Sequence, residues 1–294
     1  MLRTLEREKT MEYPSNVDLE YPINGSKYLF HYTSYLSALG ILLSQQMRLG
    51  SLANMNDPLE FQDHSNEGLI FVGNSPEEEC DLKIKNYEKA VIEKQNSVRL
   101  ASFSMDFFSG NHTDCDNNLS KGWARSRMWA QYADNHKGVC LVFEKKNLVE
   151  SFRKGLTGDL CKTYCRSVHY TNNLEPLKNA LWRSCKSLLS NDKIGFLFQK
   201  SKDFRDEQEF RLLLINKKMR DDKEIVSFKI SNAICAVIPG VRFPKEDELS
   251  LKEAMKKCNP QIKWLSICWN YGIPHLFDFE RLLARINEAK RNKG

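Results

Sequence analysis

No stretch of this 294-residue chain approaches the roughly 20 consecutive apolar residues that a membrane-crossing helix needs, so a helical span is excluded. No apolar segment follows the polar start MLRTLEREKT in the manner of a secretory leader, and the expected location is therefore cytoplasmic. The nine cysteines are odd in number and scattered without a repeating interval, which argues against a disulfide framework and for a reducing compartment. A dense metal-binding motif is also missing. Cys161, Cys165 and His169 would share a helical face, but SVHYTN reads as a strand, which scatters them; the cysteines are expected as small buried hydrophobes and no metal is expected. Nor is there a block of one charge. The 44 basic and 38 acidic residues are interleaved, giving a net charge of +6 and a pI near 8.7: a mixed, solvated surface mildly favouring anionic ligands, with no nucleic-acid arm.

What the chain does contain is enough apolar material, 41% of residues, for one sizeable core. Residues 1–25 are polar and aperiodic and read as an arm. Residues 26–275 read as a single α+β domain with a helical insertion near 76–96, started by Ser75, Pro76 and the acidic run at 77–79. Residues 276–294 carry Phe277, Phe279, Leu282, Leu283 and Ile286 at helical spacing and read as a closing helix. The stretch 28–61 is a strand–helix–strand unit. Its aromatic strand at 28–32 runs into a helix capped by Thr33 or Ser34, and Met47, Leu49 and Leu52 suit a second strand. His31 stands on the first strand, and Asn56-Asp57-Pro58 turns the chain beyond the second.

Further along, VRLASFS alternates so that Leu100, Ser102 and Ser104 share one face. The polar loop 105–122 has the length of a lid. A short helix sets Trp129 and Tyr132 on one side, as core or as stacking partners for a ring, and Gly138 is expected to end it with its permissive backbone. A buried strand follows at 139–143, a helix at 146–155 and a strand near SVHY; one or two helices are expected between 175 and 200. In SKDFRDEQEFRLLLIN, extending the apolar strand backwards places Glu207, Glu209 and Arg211 on one face, where an active cleft and a salt-bridged rim both fit. The remaining expectations are a hairpin near 224–230, a strand at ICAVIPG, a helix at 246–257 and a final strand at IKWLSICW.

The ordered set HYTS at His31, NDPLE at Asn56, ASFS at Ala101, WAQYADNHKGVCLVFE at Trp129 and EQEFR at Glu207 resembles a bacterial domain family of unknown function over residues 28–270. More distantly, it resembles the ADP-ribosyltransferase fold. That resemblance implies mixed, mostly antiparallel sheets with flanking helices, and NAD as substrate. It implies His31 as a contact for the adenosine ribose or carboxamide, Ser102 and Ser104 as supports of the nicotinamide pocket, and Asn56 and Asp57 at the same concavity. Trp129 and Tyr132 would flank a ring. Glu209 would stabilise the oxocarbenium-like charge that develops as nicotinamide leaves, and Glu207 would orient the acceptor or take its proton. Arg211 would pair with a carboxylate or meet a phosphate. The acceptor would be a macromolecule, protein or nucleic acid, with no membrane partner. The chain departs from both patterns: it has His where the Ser-strand branch has Arg, and a Ser strand where the His branch has Tyr. Two other readings therefore stand beside it. One is a metal-dependent phosphodiesterase or nuclease using Asp57, Glu60, Glu207, Glu209 and His31; the other is a non-catalytic nucleotide sensor or interaction module.

Overall fold

The computed structural model describes residues 27–52, 55, 89, 92–93, 95–107, 118–172, 194–219, 221, 223–230 and 232–278. It begins with the expected strand–helix–strand unit: β1 (Tyr28–Thr33), α1 (Tyr35–Ser44) and β2 (Gln46–Ser51). Ser34 caps α1 by accepting a hydrogen bond from the Ser37 amide at 3.3 Å, and Gln45 ends the helix in a left-handed conformation (φ 54°) that turns the chain straight into β2. α1 buries Ala38 and Leu42. Leu36 and Leu43, counted in the apolar stripe, are 74% and 57% exposed, because the helix rests on the sheet by only one narrow side.

The architecture is α+β, with mixed, mostly antiparallel sheets. Later elements are β3 (Val98–Ser104), α2 (Ser126–Tyr132), β4 (Val139–Glu144), α3 (Lys145–Gly155), β5 (Cys161–Ser167), β6 (His169–Tyr170), β7 (Gln199–Lys200) and β8 (Glu209–Asn216). After them come β9 (Val226–Lys229), β10 (Ile234–Pro239), α4 (Glu248–Cys258), β11 (Lys263–Trp264), β12 (Ser266–Asn270) and β13 (Ile273–Phe277). The main sheet runs β11-β10-β4-β1-β3-β2-β9, with β8 on β3 and β5 on β8.

The pairing of β3 creates the one irregularity that matters. One edge of β3 is matched along its whole length by β8, from Val98↔Ile215 to Ser104↔Glu209. Its other edge meets β2 at Arg99 and Leu100 and β1 at Ser104 alone. Between these contacts, at residues 101–103, the described residues offer no strand on that edge, and the sheet is split.

One face of the sheet is covered by α1, α3 and α4 over a core that includes Leu29, Phe103, Phe143 and Leu212. The opposite face carries two smaller cores: one centred on Trp129, Phe30 and Tyr32, the other joining Leu100 and Leu213 to Leu197 and Phe198. No helix among the described residues is long and apolar enough to cross a membrane.

Several local expectations change. Gly138 has no special backbone angle. The left-handed residues are Asp134, Asn135 and His136, with φ of 47°, 50° and 70°. A Cβ on Gly138 would collide with the Thr33 carbonyl, and one on Gly240 with the His136 carbonyl, so crowding rather than conformation demands glycine at both positions. Residues 226–229 form no hairpin of their own and pair instead with β2, Met47 opposite Phe228. Leu276 and Phe277 do not open a closing helix; they belong to β13, which pairs with β12 from Ser266↔Phe277 to Asn270↔Ile273. IKWLSICW is two strands, β11 and β12, rather than one. Cys161 and Cys165 lie on β5 and His169 on β6, so the helical spacing that would have gathered them does not exist. The arm at 1–25, the insertion helix at 76–96 except for residues 89, 92–93 and 95–96, loop residues 108–117 and the tail beyond 278 lie outside the described residues, as does the stretch 175–193 of the helices expected between 175 and 200; the rest of that stretch is a 3-10 turn, Ile194–Phe198, followed by β7.

Candidate functional site

At the split in the sheet a cavity of about 240 Å³ opens, bordered by β1, β2, β3 and the start of β8. His31 stands in the gap where a strand would otherwise pair. Its Nδ1 lies 3.1 Å from the Ser102 carbonyl, and because a carbonyl can only accept, Nδ1 carries the proton and Nε2 is left as an acceptor. The ring also packs on Phe103, with centroids 5.4 Å apart. On its other side Ser102 donates its hydroxyl to Glu209 Oε1 at 2.6 Å. One residue of β3 therefore touches both His31 and Glu209, which lie far apart in the chain.

Glu209 is saturated with donors. Oε1 accepts from Ser102 and from Arg211 Nε at 2.7 Å; Oε2 accepts from Arg211 Nη2 at 3.1 Å and from Lys200 Nζ at 2.9 Å. Lys200 also reaches Glu207 Oε2 at 2.8 Å, while the Tyr132 hydroxyl donates to Glu207 Oε1 at 2.6 Å. Arg211 Nη1 adds a bond of 2.5 Å to the Leu197 carbonyl. Glu207, Glu209, Lys200 and Arg211 are each 5% exposed or less, and their charges cancel. Buried ions persist only when paired in this way, since an unmatched one would lose several kcal/mol of hydration.

The local reason for this convergence is a kink. Glu207 does not extend β8: it ends a 3-10 turn, Lys202–Glu207, and Gln208 adopts a left-handed conformation (φ 44°) before the strand begins at Glu209. The regular alternation expected for residues 207–211 therefore holds for Glu209 and Arg211 but not for Glu207. The kink is held from both sides, by Ser104 donating its hydroxyl to the Glu207 carbonyl at 2.6 Å and by the Met105 amide donating to the Gln208 carbonyl at 2.9 Å. The Glu209 amide donates to the Tyr170 hydroxyl at 2.8 Å. Burial raises the Tyr170 phenol well above its usual range, keeping it protonated.

Burial alone would raise the Glu209 carboxyl as well, but Arg211 and Lys200, with the bonds from Arg211 and Ser102, outweigh it and hold the group at about 2. Glu209 is an anion at any physiological pH. His31 moves the other way: burial lowers its value below 6.5, against a smaller raising effect of its bond to Ser102, and the ring is neutral at pH 7. The folded state thus binds fewer protons at His31 than the unfolded chain does. Stability from this group is complete above about pH 6.5 and is lost as pH falls through the lower folded value. Melting temperature between pH 7 and pH 5 should therefore fall more steeply for the wild type than for His31→Asn, whose amide can still donate to Ser102; parallel curves would show that His31 is not the titrating group.

His31, Ser102, Ser104, Tyr132, Glu207 and Glu209 all border the cavity. Arg211 lies behind it, fully buried, and meets Glu209 rather than open space. Trp129 is core and does not border it: the side chain is fully buried, donates from Nε1 to the Trp123 carbonyl at 2.8 Å and packs edge-on against Tyr32. Tyr32 does reach the cavity, but its hydroxyl is taken up by the Gly122 carbonyl at 2.6 Å. Asn56, Asp57 and Glu60 lie outside the described residues. Lys200, which joins the two carboxylates, escapes sequence reasoning because QKSKDF carries no pattern that points to a site. Tyr170 escapes it for the same reason. No group of three or more His, Cys, Asp or Glu among the described residues is arranged to hold a metal ion, and Lys200 already occupies the position a cation would take between Glu207 and Glu209.

A family model described as "Protein of unknown function (DUF2971)" matches residues 128–212, the segment from α2 to β8 that supplies Tyr132, Lys200, Glu207, Glu209 and Arg211. No curated protein and no solved structure matches the chain. The match supports an uncharacterised domain family whose matched part contains the charged half of the cavity but not His31 or Ser102.

Proposed function

We propose that the cavity binds NAD and that the protein is an ADP-ribosyltransferase-like enzyme, cleaving the bond to nicotinamide and passing ADP-ribose to a macromolecular acceptor, protein or nucleic acid. The observation that carries this reading is the chain of contacts His31, Ser102, Glu209 across a split sheet, with Glu207 alongside. A neutral imidazole offers Nε2 to a hydroxyl or carboxamide of the ligand. Breaking a glycosidic bond builds positive charge on the ribose, and a permanently ionised carboxylate in a low-dielectric wall stabilises that charge. Glu207 accepts from the Tyr132 hydroxyl and from Lys200, one on each oxygen, and has lone pairs left for an acceptor's proton. At about 240 Å³ the cavity is below the usual range for whole drug-sized ligands, roughly 300 to 1,000 Å³, so it suits one end of a dinucleotide rather than all of it.

A second reading, a nucleotide sensor without turnover, is favoured by the four donors on Glu209: a carboxylate already matched by Arg211 and Lys200 has less field to lend a transition state. NAD affinity and nicotinamide release, measured on the wild type and His31→Ala, separate the two. The enzyme reading expects release, with His31→Ala weakening NAD binding itself because its contact exists in the ground state. Binding without release establishes the sensor; neither binding nor release rejects both.

A further inference from the structure

Two features on the β2 wall of the cavity are used by nothing described above. Arg48 and Gly50 both border the cavity, and they project from the same side of β2 as Leu100 and Ser102 do from β3, since Gly50 pairs with Leu100. Arg48 is exposed, and among the described residues no carboxylate pairs with it. The other ionised groups at the cavity cancel: Glu207 and Glu209 against Lys200 and Arg211. Among the described residues, with His31 neutral, Arg48 leaves the site one positive charge in excess. Gly50 has no positive φ, and among the described residues a Cβ placed there would meet Met55 Cε at 3.5 Å and the Leu100 carbonyl at 3.8 Å, both ordinary contacts. Neither its backbone conformation nor crowding by the described residues demands glycine at this position, next to last in the strand. A bare backbone beside an uncommitted guanidinium is what a ligand needs in order to lie against the strand.

We propose that Arg48 and Gly50 form the seat for a phosphate or pyrophosphate group of the ligand, opposite the end read by His31 and Ser102. This rests on the NAD reading for the identity of the whole ligand, but the anion seat itself is a property of β2. Arg48 supplies the charge-assisted hydrogen bonds and Gly50 the room. Ligands lacking the anion are then expected to bind poorly, and affinity to fall with added salt.

The test is calorimetric titration of the intact chain with NAD, with inorganic pyrophosphate and with nicotinamide riboside, on the wild type, Arg48→Gln and Gly50→Val, with melting temperatures taken alongside. Arg48→Gln should weaken NAD and pyrophosphate roughly ten- to a hundredfold and remove most of the salt dependence, while leaving melting unchanged because the side chain is exposed. Gly50→Val should abolish NAD binding with melting unchanged or raised, since a β-branched residue suits a strand. Wild-type affinity for NAD in Arg48→Gln overturns the seat and leaves the NAD reading standing. Pyrophosphate bound through Arg48 without any NAD binding keeps the seat and removes the NAD reading. A wild type that binds neither overturns both.

Discussion

Replacing Glu209 with Gln should lower both the melting temperature and the rate of nicotinamide release. The side chain keeps its shape, but its charge is lost from between Arg211 and Lys200, and one of its two acceptors becomes a donor facing other donors. Removing one member of a buried ion pair typically costs ~3–5 kcal/mol, a large part of the roughly 5–15 kcal/mol that holds a domain together. Loss of a preorganised electrostatic group costs about a hundredfold or more in rate. The fork of Arg211 on Glu209 is why stability falls together with the charge. Acid provides an independent check. Because the carboxyl sits near 2 in the folded protein, its stabilisation, roughly 3 kcal/mol, is complete above about pH 4.5 and disappears as pH falls toward 2. Glu209→Gln should lose that part of the acid sensitivity. A variant that melts early but keeps full activity per folded molecule would make Glu209 purely structural, whereas one with wild-type melting would contradict the buried pairing.

The larger structural effect is expected from Lys200→Met. Lys200 is the cation common to Glu207 and Glu209, with contacts of 2.8 and 2.9 Å, and without it two buried carboxylates face each other with only Arg211 to balance them. One of the two must then take up a proton on folding, so the folded state binds more protons than the unfolded one over the range where that carboxyl titrates. Stability should consequently rise as pH is lowered from 7 toward 5, opposite in sign to the response expected from His31 in the wild type. Adding Glu207→Gln should restore charge balance and recover a substantial part of the loss, a coupling that a double-mutant cycle would measure. Urea unfolding of the single and double variants at two pH values decides it: a Lys200→Met protein as stable as wild type at pH 7, or one that the second substitution does not help, would show that the bridge contributes nothing.

Much of the fold is determined by local pattern. The strands at 28–33, 98–104, 139–144 and 209–216 stand where apolar alternation or apolar runs put them, and the cap at Ser34 and the helix 145–155 follow from short-range hydrogen bonding and periodicity. Ser102 and Ser104 were legible as one face of a strand, and Glu209 and Arg211 as one face of another, because a two-residue period is written into the sequence itself. What no local pattern contains is which edges meet. That β3 is paired fully by β8 but only at its ends by β1 and β2 is decided by long-range packing, and it is this mismatch that opens the cavity, turns His31 into a substitute partner for the Ser102 carbonyl and frees Arg48 and Gly50 to face the same space. The αL kink at Gln208 and the arrival of Lys200 between two glutamates are likewise tertiary outcomes. A buried charge can be tolerated only where other parts of the chain deliver its counter-charges, and such distant partners leave no periodic mark on the sequence around it.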